Sequence, residues 1–250
     1  MDELVRQMKE DGVTFHLCDA VQSINVSHQD RPHAELTLRS GTTLKTETVL
    51  YSIGRTAATD SLDLKKINLQ TDDRGRIKVD QNFQTEVEHV WAAGDVIGFP
   101  ALAATSSEQG RIAVCRMFEV KTTPMGRNYP YGIYSIPEIS MVGSSEDELA
   151  ADGTEYVVGI ARYREIARGQ ILGDDTGLFK MLFEKHTQKL LGVHCIGTGA
   201  TELVHVGQAV LKLGGGLDYF METVFNYPTL AECYKVAAYD AANKIGYVLE

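Results

Sequence analysis

The chain has 250 residues, of which 44% are hydrophobic and 23% are charged, so it can bury a sizeable core and is not disordered. Its 34 acidic and 24 basic side chains give a net charge of −10, which disfavours nucleic acid or an anionic membrane as a partner because phosphates would be repelled. No apolar run reaches the roughly 18 residues that a membrane helix needs. The amino terminus lacks a signal-peptide pattern, and we therefore expect a cytoplasmic protein without nucleic-acid or membrane partners.

The cysteine and histidine spacings do not indicate a metal site or a disulfide framework. No two of the four cysteines are close enough in sequence for a zinc-binding pair, and the seven histidines are scattered. We expect no bound metal and four reduced, mostly buried thiols, at Cys18, Cys115, Cys195 and Cys233.

The first 54 residues predict a short helix followed by a β-meander. The helix should end near Glu10, because Gly12 can adopt the left-handed conformation that terminates helices. Residues 48–53 predict a buried strand ending at Gly54. No βαβ unit precedes the meander, so we expect the natural beginning of this fold to lie outside the sequence. Strands are predicted over residues 13–17, 20–26, 35–39 and 44–53.

The middle of the chain predicts two strands and one helix. Short strands are predicted over residues 77–80 and 87–93, and the second runs into Gly94-Asp95. An alanine-rich helix is predicted over residues 101–118. Residues 121–130 hold two prolines and a glycine, which is typical of a linker.

The carboxyl-terminal part predicts a different architecture. Alternating residues predict a strand over 156–163 and a hairpin of strands 177–184 and 190–196 within an antiparallel sheet. Helices are predicted over residues 201–213 and 230–246, and both are candidates for a subunit interface, the first through its Leu203–Leu213 face. The fold class is therefore α/β followed by α+β.

Gly94-Asp95 is the most informative pair of residues. Ligands of open α/β folds lie at the carboxyl ends of strands, where a glycine allows close approach and a carboxylate can accept bonds from hydroxyl groups. An aspartate at a strand end can equally cap the next helix. The residues alone leave both readings open.

Four motifs in this order resemble the flavin-dependent pyridine nucleotide–disulfide oxidoreductases. Together they cover essentially the whole chain, and they resemble the strand returning from the NAD domain, the second flavin motif, the opening of the dimerisation domain and the carboxyl-terminal signature. They are Ser52-Ile53-Gly54-Arg55, Ala92-Ala93-Gly94-Asp95-Val96 with Leu102-Ala103, Ile133-Tyr134-Ser135-Ile136-Pro137-Glu138-Ile139 with Val142-Gly143, and Phe225-Asn226-Tyr227-Pro228-Thr229-Leu230-Ala231-Glu232.

This resemblance implies a domain organisation and a cofactor site. Residues 1–54 would be the tail of an NAD-binding domain, 55–125 part of an FAD-binding domain and 126–250 the dimerisation domain of a homodimer. Asp95, beside Gly94, would bind the ribityl hydroxyls of FAD or the neighbouring phosphate region. The Ala103 N–H would face the flavin's pyrimidine edge, and Gly54 would lie beside NAD or NADP.

Within the family, the closest resemblance is to the soluble pyridine nucleotide transhydrogenases. Most members have an acid–base histidine before Pro-Thr, where this chain has Tyr227. Hydride transfer between NADPH and NAD+ through FAD involves no thiol and needs no such base. Tyr227 would shield or hydrogen-bond the flavin, or simply pack. Glu232 either caps the last helix in a box with Thr229 or keeps an active-site role.

The sequence contains no GxGxxG motif, the usual nucleotide-cradling loop of this family. The chain therefore resembles the carboxyl-terminal half, or somewhat more, of a family member, with both loops upstream of Met1. Two alternatives stay open: a non-catalytic dimerisation fragment or split subunit, and a dihydrolipoamide dehydrogenase-like oxidoreductase. The missing histidine argues against the second.

Overall fold

The chain folds into two units, divided between Ala57 and Ala58, in a computed structural model that describes residues 2–28 and 31–246. The first unit contains helix α1 (Asp2–Glu10) and a three-stranded antiparallel sheet in the order β1-β2-β3. The sheet confirms the predicted meander. Its strands are β1 (Val21–Ser27), β2 (His33–Leu38) and β3 (Thr43–Thr46).

Two strands predicted in this unit do not form. Residues 13–17 and 48–53 have no regular structure, and the prediction of a buried strand at 48–53 is wrong, since Leu50 is 89% and Ile53 is 75% exposed. A strand forms when a neighbouring backbone satisfies its N–H and C=O groups, and no described strand pairs with either segment. Apolar composition was therefore not sufficient.

The second unit begins with turns rather than regular strands. The strands predicted over 77–80 and 87–93 are wrong, because each is reduced to one isolated bridge, Thr71 with Ile77 and Gln84 with Trp91. Tight turns interrupt the pairing, since the Asp80 carboxylate accepts the backbone N–H groups of Asn82 and Gln84. This segment instead forms a small apolar cluster around Leu69, Ile77 and Ala92.

Helix α2 (Ala103–Met117) confirms the predicted helix to within two residues at each end. Its buried face carries Ile112 and Ala113, which pack against Phe83. Met125, inside the predicted linker, packs partly on the same cluster. The linker is therefore held against the segment that precedes it.

The rest of the second unit is an α+β fold. Five antiparallel strands form a sheet in the order β4-β5-β8-β7-β6. The predicted hairpin is confirmed, with β7 and β8 paired inside the sheet. The strands are β4 (Tyr131–Ile133), β5 (Ile139–Gly143), β6 (Tyr156–Arg162), β7 (Leu178–Glu184) and β8 (Leu190–Ile196).

Helices cover one face of this sheet. Alternate residues of β7, Phe179, Met181 and Phe183, are buried in the same cluster as residues from the last three helices. Leu203 and Val210 also lie in this cluster, so these two residues pack against the chain's own sheet, whereas Leu213 on the same face is 85% exposed. A subunit interface at this face stays a prediction. The helices are α3 (Glu146–Ala151), α4 (Ala167–Leu172), α5 (Ala200–Leu213), α6 (Leu217–Glu222) and α7 (Glu232–Ile245).

The Tyr234 hydroxyl joins α7 to α5 inside this core. It accepts a hydrogen bond from the Gly207 N–H at 2.8 Å and donates one to the Leu203 carbonyl at 2.8 Å. The hydroxyl thus lies between a carbonyl and the N–H four residues later in α5, the two groups that bond directly in a regular helix. Gly207 leaves room for it, since a β-carbon there would lie 3.0 Å from the hydroxyl oxygen.

Tyr234→Phe should lower the free energy of unfolding by about 1–3 kcal/mol, because two buried backbone groups lose their partner. Chemical denaturation of both proteins measures the difference. Tyr134→Phe is the control, at a ring that is 82% exposed, and should change stability by less than about 0.5 kcal/mol. Equal losses in the two variants would contradict the bridging role of Tyr234.

Candidate functional site

The Gly94-Asp95 pair forms a turn in which Gly94 is half-buried and Asp95 is exposed. Gly94 has φ 83° and ψ −158°, a backbone conformation that is essentially restricted to glycine, and it leads into a 3-10 turn over Asp95–Ile97. The side chain of Asp95 is exposed to solvent. The turn therefore presents an accessible carboxylate next to a glycine, although the strand predicted to lead into it does not form.

The amino terminus of α2 begins without a side-chain cap. Leu102 occupies the capping position and offers no acceptor, while the hydroxyls of Thr105 and Ser106 both donate to the Leu102 carbonyl. The first N–H groups of a helix have no partner within it and carry its positive dipole end. Ala103 and Ala104 are exposed here, so their N–H groups can bind an electron-rich ligand atom.

The turn and the helix are linked by Gln109. This residue is 1% exposed, and its Oε1 accepts the Gly94 N–H at 2.7 Å. Gly94, Asp95 and Ala103 thus belong to one turn–helix element. Sequence reasoning missed Gln109; the available signal was a glutamine at the spacing of Thr105, Ile112 and Ala113 on the inner face of an alanine-rich helix.

The remaining predicted cofactor residue, Gly54, lies in the first unit. It is exposed, has φ 108° and would have no atom within 4 Å of an added β-carbon. The positive φ explains why a glycine is used there, since other residues would be strained. Its place beside a pyridine nucleotide stays a prediction.

The two candidate catalytic residues lie at the start of α7. Tyr227 is 70% exposed, and Glu232 is the first residue of the helix. Glu232 Oε1 accepts the Thr229 N–H at 2.9 Å, but the Thr229 hydroxyl donates to the Asn226 carbonyl instead of serving the helix. Only one of the two hydrogen bonds of the predicted capping box is therefore present, the one that Glu232 accepts. Through this bond Glu232 holds the segment that leads into α7.

Glu138, from the motif that opens the dimerisation domain, binds the start of α5. Its carboxylate accepts the Gly199 N–H at 2.7 Å and the Thr201 hydroxyl at 2.6 Å. The Thr201 hydroxyl and then the backbone N–H groups hold the pKa of Glu138 below its usual value. Glu138 therefore connects the start of β5 to the start of α5, which is a structural role.

The lowered pKa of Glu138 predicts a pH dependence of stability. A carboxyl with a lower pKa in the folded state stabilises the fold above its unfolded pKa, near 4.5, and this contribution is lost as pH falls through the folded pKa. Glu138→Gln should be less stable than wild type by about 1.5–3 kcal/mol at pH 7, with the gap closing below about pH 4. Denaturation at several pH values measures it, and a constant gap would contradict the assignment.

The cysteines do not form a redox pair. Within residues 2–28 and 31–246 no disulfide is present, and no three His, Cys, Asp or Glu side chains could together hold a metal ion. Burial raises the pKa of Cys195 to about 12 and also raises that of Cys233, so both thiols stay protonated. Cys18 is exposed and Cys115 half-buried, so the prediction of mostly buried thiols holds only for the other two.

Two family models match the chain. Residues 1–110 match "Pyridine nucleotide-disulphide oxidoreductase", and residues 129–238 match the dimerisation domain of the same family. The chain belongs to the pyridine nucleotide-disulphide oxidoreductase family. This confirms the resemblance inferred from the four motifs and the class of fold expected from it.

Curated relatives carry a more specific name. The soluble pyridine nucleotide transhydrogenase of Mycobacterium tuberculosis (strain ATCC 25177 / H37Ra) is 49% identical over 245 residues, covering 98% of this chain and 52% of the relative. That of Salmonella enteritidis PT4 is 46% identical over 212 residues, covering 83% of this chain and 46% of the relative. The chain thus spans about half the length of the curated relatives it matches.

Solved structures share the fold. LpdA from Mycobacterium tuberculosis matches with a TM-score of 0.84 at 23% identity, covering 94% of this chain and 51% of LpdA. The HOCl-induced flavoprotein disulfide reductase RclA from Escherichia coli matches with a TM-score of 0.86 at 22% identity, covering 95% of this chain and 54% of RclA. At these identities the likeness supports the fold alone. In the part of the chain that the structure describes, no helix is long and apolar enough to cross a membrane.

Proposed function

We propose that the chain forms the carboxyl-terminal half of a cytoplasmic, FAD-dependent transhydrogenase that passes hydride between NADPH and NAD+. The observation that carries the proposal is the Gly94-Asp95 turn beside the uncapped start of α2, in a chain 49% identical to a soluble pyridine nucleotide transhydrogenase. The proposed parts are the tail of an NAD domain (1–54), part of an FAD domain (55–125) and a dimerisation domain (126–250).

The residues present fit one side of a flavin site. Asp95 can accept hydrogen bonds from ribityl hydroxyls or bind near the phosphate region, and Gly94 has no side chain to obstruct a ligand. The N–H of Ala103, an exposed residue at the positive end of the α2 dipole, can stabilise negative charge on a flavin's pyrimidine edge. Bound FAD supplies a centre that accepts hydride from one pyridine nucleotide and returns it to another. Gly54 would contact that nucleotide.

Tyr227 separates this proposal from thiol chemistry. A dihydrolipoamide dehydrogenase-like enzyme must move protons to and from a thiol, which calls for an acid–base histidine where this chain has Tyr227. Hydride exchange between nicotinamides has no such step. Tyr227, with its exposed ring, can shield the flavin or hydrogen-bond it, while Glu232 holds the Thr229 N–H.

A spectroscopic comparison tests the proposal. We expect the 250-residue chain alone to bind FAD poorly, because it lacks the GxGxxG loop that cradles the pyrophosphate. A hybrid, in which the unmatched amino-terminal part of the Mycobacterium tuberculosis relative precedes this chain, should bind FAD and oxidise NADPH with NAD+. A folded hybrid that binds no FAD would favour the non-catalytic dimerisation fragment. FAD binding with lipoamide reduction but no transhydrogenation would favour the dihydrolipoamide dehydrogenase alternative.

The match of residues 129–238 to a dimerisation domain supports a homodimer as part of the proposal. Sedimentation of the 250-residue chain at micromolar concentration should give twice the 27.5 kDa chain mass. A folded monomer at that concentration would contradict the proposal that this region alone carries dimerisation.

A further inference from the structure

The buried Gln109 side chain connects α2 to the candidate ligand-binding turn. Its amide oxygen accepts the Gly94 N–H at 2.7 Å, across fifteen residues of sequence. The Gln109 side chain is 1% exposed, and burying a neutral amide costs free energy unless the amide is hydrogen-bonded. The bond to Gly94 offsets part of this cost. Gln109 itself lies behind the turn and presents no exposed surface to a ligand.

The Gly94 backbone needs such a restraint. With φ 83° and ψ −158° it occupies a conformation that glycine adopts readily but also leaves readily, because no side chain limits it. Ser106 limits the space beside it: a β-carbon on Gly94 would be 3.3 Å from the Ser106 hydroxyl oxygen, which is fixed by its bond to the Leu102 carbonyl. The bond from Gln109 therefore holds the Ala93–Gly94 peptide, one residue before Asp95.

We propose that Gln109 is a positioning residue for ligand binding at the Gly94-Asp95 turn, and this rests on the proposed function. Its amide oxygen fixes the Ala93–Gly94 peptide at the start of the turn, so that the Asp95 carboxylate keeps one orientation relative to the start of α2. A carboxylate held in place before binding does not lose that freedom when the flavin binds, which increases affinity. The variants that separate this role are Gln109→Met, which keeps the length but removes the acceptor, and Gln109→Glu, which keeps an acceptor oxygen.

The first measurement is amide hydrogen exchange of Gly94 in the 250-residue chain. In the wild type the bond to Gln109 should protect this N–H. Gln109→Met should exchange about tenfold faster or more, whereas Gln109→Glu should stay close to wild type. Glu108→Gln, which breaks only the surface pair with Arg111, is the control. Equal exchange in Gln109→Met and wild type would overturn the proposal.

The second measurement is the FAD dissociation constant of the hybrid at a temperature where every variant is folded. Gln109→Met should bind FAD about tenfold more weakly, and Gln109→Glu within about threefold of wild type. A purely structural role would lower the melting temperature and leave this constant unchanged, which would overturn the proposal. If the folded wild-type hybrid bound no FAD, the proposed function would fail, and this inference would fail with it. That outcome differs from a wild-type hybrid that binds FAD while Gln109→Met binds it equally well, which overturns this inference alone.

Discussion

Replacing Asp95 with alanine in the hybrid should weaken FAD binding by about tenfold or more. The exposed carboxylate at the Gly94 turn can accept charge-assisted hydrogen bonds, and the loss of one typically costs about 1.5–3 kcal/mol. Titration of the apoprotein with FAD, followed by flavin fluorescence, gives the dissociation constant. Asp73→Ala, at an exposed aspartate of a nearby turn, is the matched control and should bind like wild type.

The companion change, Tyr227→Phe, should have a small effect. It removes one hydroxyl from an exposed ring, and hydride transfer between nicotinamide and flavin moves no proton through it. We expect turnover to fall by less than about fivefold, which corresponds to under 1 kcal/mol.

The two variants together discriminate between reactions. If Tyr227→Phe abolished transfer from NADPH to NAD+ while FAD stayed bound, Tyr227 would act as an acid–base group. A thiol or quinone acceptor would then explain the site better than transhydrogenation. If Asp95→Ala bound FAD like wild type, the carboxylate would not be a flavin ligand, and the Gly94 turn would lose its proposed role.

The fold was predictable where the sequence pattern of a segment reflects contacts that the described residues make with one another. The hairpin of β7 and β8 and helices α5 and α7 were predicted to within two residues, because alternation and helical spacing reflect contacts made inside the chain. Residues 48–53 and 87–93 are equally apolar, but no described strand pairs with them over more than one residue. A local sequence pattern indicates which conformation a segment prefers, but not whether a neighbouring strand pairs with it.

The candidate site was also predictable only in part. The start of α2 at Ala103 and an accessible carboxylate at Gly94-Asp95 were predictable, since alanine-rich helices and Gly-Asp pairs have recognisable sequences, although the strand expected before Gly94 does not form. The link through Gln109 was not, because it depends on how closely α2 approaches the turn. The burial of Leu203 against its own sheet was not predicted either, since an apolar helix face looks the same in sequence whether it covers its own sheet or a partner.

The close contact between α7 and the edge strand β6 rests on Gly159. This residue is buried, and a β-carbon on it would collide with the carbonyl oxygen of Ala237 and lie 3.1 Å from the β-carbon of Ala241. The approach lets α7 bond to the strand: the Asp240 carboxylate accepts the Ile160 N–H, and Lys244 donates to the Val158 carbonyl, each at 2.8 Å. Side chains of α7 thereby hydrogen-bond to backbone groups of β6 that have no partner strand at this edge of the sheet.

Gly159→Val should therefore destabilise the fold by about 2–6 kcal/mol. Overpacking against a helix backbone costs about 1–3 kcal/mol, and displacing α7 also breaks the bonds to Ile160 and Val158, worth about 0.5–1.5 kcal/mol each. Chemical denaturation measures the loss, with Gly159→Ala as a milder variant if the valine protein does not fold. Gly126→Val, at a glycine with open space around it, should cost less than about 0.5 kcal/mol. If Gly159→Val and Gly126→Val unfolded at the same denaturant concentration, α7 could move away from β6 without loss, and the backbone contact would not hold the helix in place.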